Sequence, residues 1–192
     1  MARGRPKAFD RTDVLEKALG LFWSQGYEAT GMAQLVQTMG IGRQSIYNAF
    51  GDKRALYLAA LEHYYDTRMQ KMLQGLRGEG SPLARLKATV QGAGSPNAKG
   101  CMVCNSMAEF GSHEPDVNAQ LRRYVSAQEE AFANVLIQAQ QAGEISSNAK
   151  PRVLARQLVA TMQGMALLNR ASIDNAFIGD AITASLSMLD QA

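Results

Sequence analysis

The stretch from Gly31 to Lys53 constrains the fold more than any other part of this 192-residue chain. Apolar side chains recur there with the i, i+3, i+4, i+7 spacing of one helical face, at Met32, Leu35, Val36 and Met39. Gly40-Ile41-Gly42 follows, and glycine tolerates the left-handed backbone of a tight turn. The sequence therefore predicts two short helices joined by a turn, the second running from Arg43 to Phe50.

The predicted second helix has an unusually polar surface. Only Ile46, Ala49 and Phe50 face inward, and every other position carries a hydrogen-bonding side chain: Arg43, Gln44, Ser45, Tyr47 and Asn48. In a DNA major groove, Arg pairs with guanine and Gln or Asn with adenine, while Ser and Tyr hydroxyls reach phosphates. The alternative is a helical hairpin at the edge of an all-α domain with a solvated polar face. We favour DNA binding, which makes these five polar residues candidate contacts.

The residues on both sides of the hairpin add a more specific pattern. In order, they are Leu21-Phe22, Gly26-Tyr27, Thr30, Gly40-Ile41, Tyr47-x-x-Phe50 and Lys53-x-x-Leu56. This constellation, over roughly residues 10–58, resembles the N-terminal domain of the TetR family of bacterial transcriptional regulators. Gly31 and Gly42 depart from the family pattern, which often has Ser or Thr there, so we expect no side-chain phosphate contact from either position.

The resemblance implies a homodimeric repressor that binds a double-stranded DNA operator. In the binding state, the two recognition helices lie about one DNA turn, roughly 34–36 Å, apart. A small-molecule effector in the C-terminal part favours a second state with the wrong spacing. We expect a DNA-binding helix-turn-helix domain at residues 1–50 and a ligand-binding and dimerisation domain at residues 51–192.

The excess positive charge is confined to the N-terminal quarter of the chain. Residues 1–54 hold eight Lys or Arg and five Asp or Glu, whereas the remainder holds twelve of each. This asymmetry favours a polyanionic partner for the N-terminal part alone. Lys53, after the predicted recognition helix, is a candidate phosphate contact, and Thr30 is a candidate helix cap or phosphate contact.

Residues 1–9 form a basic arm without apolar periodicity. Its Arg3-Gly4-Arg5-Pro6 segment matches the core of an AT-hook, in which Arg3 and Arg5 lie in a narrow A·T-rich minor groove. The alternative is a flexible basic tail with unspecific attraction to phosphates.

Composition excludes several other classes of protein. The chain is 46% hydrophobic with few aromatic residues and five Pro, which favours an all-α fold, and its periodicity predicts about nine helices. No run of 18 apolar residues and no signal peptide is found, so we expect a cytoplasmic protein without a membrane span. Because no phosphate loop and no nucleophile–base pairing is recognised, we expect neither an enzyme nor a cofactor or metal site.

The second part of the chain holds the candidate effector contacts. A long helix is expected from Asp52 to about Gly75, and a short one from Gly100 to Gly111. The candidate ligand-binding residues on these helices are Tyr64, Met69, Met102, Cys104 and Asn105. For Asn105 and its neighbour Glu109, an exposed helical edge is the alternative.

Two thiols lie on the short helix, Cys101 and Cys104. Three interpretations stay open: buried structural residues, a redox or electrophile sensor, and ligands of a metal. A thiol-sensing repressor is therefore one alternative function, and a helical ligand-binding module without DNA function is another.

The last two predicted helices, residues 151–173 and 179–189, carry wider apolar stripes than one core requires. Such stripes are typical of a subunit interface. We therefore expect these helices to form the dimer interface, with Leu158 and Leu186 among its contacts.

Overall fold

The computed structural model describes residues 9–93 and 99–190, and all regular secondary structure within these ranges is helical. The helices are α1 Arg11–Gln25, α2 Met32–Met39, α3 Arg43–Phe50, α4 Lys53–Tyr64, α5 Gln70–Gln74, α6 Pro82–Ala93, α7 Met102–Phe110, α8 Pro115–Gln141, α9 Pro151–Arg170 and α10 Asn175–Asp190. A π-helical turn, Tyr65–Met69, lies between α4 and α5. If the helical run of residues 53–74 is counted once, the described residues contain nine helices, which confirms the predicted fold class.

The chain divides into two compact units between Tyr64 and Tyr65. The two domains expected from the sequence, with a boundary at residue 50, remain a prediction. The compact units divide later because α4 packs against α1 and thus belongs to the first unit.

An aromatic cluster holds α1 and α4 together in the first unit. Phe22 of α1 meets Tyr57 of α4 edge to face, with ring centroids 5.0 Å apart, and Tyr27 packs on Tyr57 at 5.2 Å. Phe22 and Tyr57 are almost fully buried. Such ring pairs add to the free energy of burial, so the two helices form a firm base for α2 and α3.

The turn between α2 and α3 depends on one glycine. Gly40 ends α2 with φ 70° and ψ 22°, the left-handed conformation that side chains with a Cβ disfavour. Its N–H donates to the carbonyl of Val36, which closes the last turn of α2. The helix-turn-helix hairpin predicted from the periodicity of residues 32–50 is therefore present.

In the second unit, α8 and α9 form the most extensive helix pair. Their inward faces, with parts of α5, α6 and α10, share one apolar core, in which Phe132, Leu136, Ala155 and Leu158 are among the most deeply buried residues. None of the helices in the described ranges combines the length and the hydropathy that a membrane span requires.

Apolar side chains remain exposed along α9 and α10. Five of the six large hydrophobic residues that the structure exposes lie between residues 153 and 188: Val153, Leu167, Ile173, Phe177 and Met188. Leu158 and Leu186, expected at a subunit interface, are instead buried inside the protomer. The wide stripes therefore divide into an inner face and an exposed outer face.

Candidate nucleic-acid interface

The α3 helix separates its apolar and polar residues sharply. Ile46 is fully buried and Phe50 nearly so, which fixes the inner face of α3 against the first unit. Arg43, Gln44 and Asn48 are exposed, whereas Ser45 and Tyr47 are half-buried. The predicted DNA contacts of α3 thus lie on or beside its solvent face.

Two hydrogen bonds connect these polar side chains in pairs. The Nε of Arg43 donates to the hydroxyl of Tyr47 at 3.1 Å, and the guanidinium carbon lies 5.6 Å from the centre of the Tyr47 ring. The Nε2 of Gln44 donates to Oδ1 of Asn48 at 3.0 Å. Both pairs have the i, i+4 spacing that brings side chains together on a helix.

The N-termini of α2 and α3 share an unusual feature. The N-cap residues are Gly31 and Gly42, and neither helix has a side-chain cap hydrogen bond. First-turn N–H groups that no cap side chain occupies suit a phosphate oxygen. At these two positions the groups offered to a phosphate are therefore backbone N–H groups.

Lys53 is held beside the hairpin by an aromatic ring. Its ammonium lies 4.2 Å above the centre of the Tyr27 ring, within the range of a cation–π contact. Its side chain is half-buried, so the charge has a defined position at the start of α4. A positioned cation near the recognition helix is compatible with the predicted phosphate contact.

The structure corrects the role that the sequence predicted for Thr30, a helix cap or a phosphate contact. The residue is fully buried, and its hydroxyl donates to the carbonyl of Gly26 at 2.6 Å. The N-cap of α2 is Gly31 instead. The Thr30 hydroxyl therefore braces the loop between α1 and α2 and is not exposed to a phosphate.

Arg3 and Arg5 of the basic arm lie outside the described residues.

The predicted effector contacts are divided between the two units. Tyr64 belongs to the first unit, and Met69, Met102, Cys104 and Asn105 belong to the second. Met69, Met102 and Cys104 are buried, while Asn105 is half-buried and donates from Nδ2 to the carbonyl of Lys99 at 2.8 Å. Whether these residues bind a ligand stays a prediction.

The two thiols lie in different environments. Cys104 is buried and its Sγ lies 3.4 Å from the carbonyl of Gln163, whereas Cys101 is half-buried. Burial raises the pKa of the Cys104 thiol to about 11, and nearby Cys101 adds to the increase while Arg170 opposes it. Because the thiolate is the nucleophile, a thiol with a raised pKa reacts poorly at neutral pH. The thiol-sensing alternative is therefore not favoured for Cys104.

Among the described residues, no cluster of His, Cys, Asp and Glu has the arrangement of a metal site.

Four buried polar atoms in the second unit have no hydrogen-bond partner among the described residues. They are Oδ1 of Asn105, Oε1 of Gln128, Oε1 of Gln163 and Nη1 of Arg170. A Cβ built on Gly100 would lie 3.4 Å from Oδ1 of Asn105 and 3.2 Å from Cβ of Arg170, which places both residues next to Gly100. The sequence offered one indication, since Gln128 occupies the apolar stripe of α8. For Gln163 and Arg170 we recognise none.

Described residues of the second unit line clefts on its surface, of which two are large enough for a small molecule. One, of about 580 Å³, includes Tyr65, Gln70, Asn134 and Gln138 in its walls. The other, of about 420 Å³, lies between the end of α7 and α8 and includes Met107 and Arg122. The five predicted ligand-binding residues line neither cleft. The predicted contacts and these clefts therefore mark different parts of the molecule.

Two family models match the chain. The model described as bacterial regulatory proteins, tetR family, matches residues 14–60, which include α2 and α3. The model described as tetracyclin repressor-like, C-terminal domain, matches residues 82–185.

Two named bacterial regulators match along most of the chain. The HTH-type transcriptional regulator YezE of Bacillus subtilis (strain 168) is 30% identical over 193 residues, covering 97% of this chain and 100% of YezE. The HTH-type transcriptional repressor ComR of Escherichia coli (strain K12) is 33% identical over 175 residues, covering 88% of this chain and 83% of ComR.

A solved structure shows the same fold. It is a cysteine mutant of the TetR family transcriptional regulator CifR, complexed with 26-base-pair operator DNA. It superposes with a TM-score of 0.83 at 23% identity and covers 96% of this chain and 98% of that chain.

Proposed function

Because this chain belongs to the TetR family of bacterial transcriptional regulators, we propose that it is a repressor that a small-molecule effector releases from its operator. The family is one of DNA-binding regulators, and the proposal assigns no catalytic role to the chain. Such a regulator works on DNA in the cytoplasm.

The polar face of α3 is the observation that carries the DNA-binding part. Arg43, Gln44 and Asn48 are exposed on a helix whose opposite face is held by buried Ile46. A helix that only packs against its own domain gains nothing from this set of side chains, whereas a recognition helix needs it to reach base edges. ComR, a relative at 33% identity, is itself a repressor, which supports the direction of regulation.

The effector part rests on the buried polar atoms of the second unit. Asn105, Gln128 and Gln163 each contribute an acceptor that no described residue pairs, and Arg170 contributes such a donor. Buried polar groups are costly unless they are hydrogen-bonded, so a ligand that satisfies them gains free energy of binding. We assign the effector to small polar molecules that carry both hydrogen-bond donors and an acceptor or carboxylate.

A two-state equilibrium connects effector and operator in this proposal. The effector shifts the equilibrium only by the ratio of its affinities for the two states. The chain passes from the first unit to the second within the helical run of residues 53–74, and we assign the coupling to that run.

Binding to duplex DNA as a function of salt tests the DNA-binding part. An operator is first selected from a random duplex library with the full-length protein. The logarithm of the binding constant should then fall steeply and linearly with the logarithm of salt concentration, because phosphate contacts release counterions. Lys53→Ala should reduce that slope by about one while weakening all sequences alike. Failure to select any sequence, with no salt-dependent binding, would favour a helical ligand-binding module.

Native mass spectrometry of the protein purified from its host tests the effector part. A bound small molecule should be present on the parent protein and lost from Arg170→Ala and Asn105→Ala. Ser24→Ala, in α1 of the first unit, is the control that should retain it. The same bound mass on all four proteins would move the effector site elsewhere.

A further inference from the structure

The two side-chain pairs of α3 leave specific atoms available to DNA. In the first pair, Nε of Arg43 is engaged with the hydroxyl of Tyr47. The two terminal nitrogens of the guanidinium remain as donors, because arginine carries five N–H groups in a planar fork. Guanine presents two acceptors, N7 and O6, side by side in the major groove. The two terminal nitrogens of Arg43 therefore match the paired acceptors of guanine.

The second pair presents a donor and an acceptor together. Since Nε2 of Gln44 donates to Oδ1 of Asn48, the outward atoms are Oε1 of Gln44, an acceptor, and Nδ2 of Asn48, a donor. Adenine offers the complementary set, an N6 donor next to an N7 acceptor. Guanine offers only acceptors on the same edge, and one of them would face Oε1 of Gln44 without a proton. The pair therefore favours adenine over guanine.

We infer that α3 recognises its operator through these two preassembled pairs: Arg43, positioned by Tyr47, contacts guanine, and Gln44 with Asn48 together contact adenine. This inference rests on the proposed function, since it requires α3 to enter the major groove. It gives Tyr47 the task of a positioning residue instead of the phosphate contact expected from its hydroxyl in the sequence.

Both pairs belong to the same short helix. Arg43 and Gln44 are the first two residues of α3, so each half-site should contain both the guanine and the adenine. Because the pairs exist before DNA binds, less side-chain ordering opposes association.

Tyr47→Phe tests the first pair, because it removes one hydroxyl and keeps the ring. Binding of the full-length variant is measured on the selected operator, on operators with each position changed, and on a random duplex. We expect discrimination at the guanine position to fall about tenfold, with little change on random DNA and an unchanged salt slope. Arg43→Lys, which lacks Nε and the fork, should lose the same discrimination, and the double variant should lose no more.

Tyr124→Phe is the matched control for the loss of a tyrosine hydroxyl. Tyr124 lies in the second unit, where its ring stacks on Tyr65, and its variant should retain full discrimination at every position. If Tyr47→Phe instead weakens all sequences alike and lowers the salt slope, Tyr47 contacts phosphate and the inference is wrong. An unchanged Tyr47→Phe variant overturns it as well.

A double-mutant cycle tests the second pair. Gln44→Ala, Asn48→Ala and the double variant should all lose the adenine preference to the same extent, because either change dismantles the pair. Asn48→Asp keeps the acceptor for Gln44 but loses the donor to N7, so it should lose the preference too. Independent, multiplying losses at two different positions would overturn the shared contact.

The selected sequence separates this inference from the proposed function. A parent protein that selects no sequence and binds no duplex contradicts both. A parent that selects an operator at which Arg43→Lys changes no preference for guanine and Gln44→Ala changes no preference for adenine contradicts the inference alone. An operator with both bases and the expected variant behaviour supports the inference.

Discussion

At the scale of single residues, burial decides which side chains are available for chemistry. Thr30 is positioned in the sequence as a helix cap or phosphate contact, yet its hydroxyl is buried and bonded to Gly26. Cys104 is one of two cysteines that made a thiol sensor an alternative, yet burial raises the pKa of its thiol to about 11. In both cases the residue type suggests a function that its environment removes.

Thiol alkylation should separate the two cysteines. At neutral pH, we expect iodoacetamide to modify half-buried Cys101 and to leave buried Cys104 unmodified in the folded protein. Since the pKa of Cys104 is raised to about 11, its thiolate fraction and modification rate should grow about tenfold for each pH unit below that value. Mass spectrometry of peptides after timed labelling measures both rates, and denatured protein is the control in which both cysteines react.

The raised pKa of Cys104 also predicts how the stability of the folded protein changes with pH. A folded-state pKa above the unfolded value favours the protonated thiol of the native state, so its contribution is complete at neutral pH and lost as pH rises towards about 11. The free energy of unfolding of the parent, measured with urea, should therefore fall more between pH 9 and 11 than that of Cys104→Ala. An equal decrease in both proteins would mean that the thiol is not desolvated.

At the scale of elements, the sequence predicts helices well and their interruptions poorly. The i, i+3, i+4, i+7 period of Met32, Leu35, Val36 and Met39 identifies α2, because only one face of that helix is buried. The π-helical turn Tyr65–Met69 was not predicted, and a continuous helix was expected there. A single added residue in a helical turn leaves little trace in a period of apolar side chains, and such turns frequently occur at functional sites.

A pair of glycine variants tests the turn between α2 and α3. Gly40→Ala should lower the free energy of unfolding by about 1–2 kcal/mol, because Gly40 has φ 70°. Gly42→Ala is the matched control, since its φ is −66° and ψ 152°, ordinary values for alanine. Neither added Cβ has an atom within 4 Å, so the backbone alone distinguishes the two variants. Urea denaturation measures the difference, and equal stabilities would contradict the assigned conformation of Gly40.

At the scale of the whole molecule, an apolar stripe on a helix does not reveal which chain covers it. Leu158 and Leu186 satisfy the helical period but are buried in their own protomer. Phe177 and Leu167 remain 58% and 43% exposed, and they share the outer faces of α10 and α9 with other apolar side chains. Only the three-dimensional arrangement separates the two groups, because both have the same residue types at the same period.

The exposed apolar residues on the outer faces of α9 and α10 should form the dimer interface. Leu167→Glu combined with Phe177→Glu should produce folded monomers, because a two-fold interface repeats each buried charge in both subunits. Ile137→Glu is the control, since Ile137 is also exposed, at 41%, but lies on α8. Analytical ultracentrifugation measures the mass and circular dichroism checks the helix content. A dimer that survives the double change would place the interface elsewhere.

The only tryptophan of the chain has an optical consequence. Trp23 lies in the first unit, where its indole meets the ring of Tyr64 edge to face with centroids 5.0 Å apart. Light at the red edge of indole absorption excites tryptophan without tyrosine, so the emission then comes from the DNA-binding unit alone. The molecule thus carries an intrinsic fluorophore beside the last residue of that unit. A ligand that binds only the second unit and changes this emission has altered the surroundings of α1 or α4.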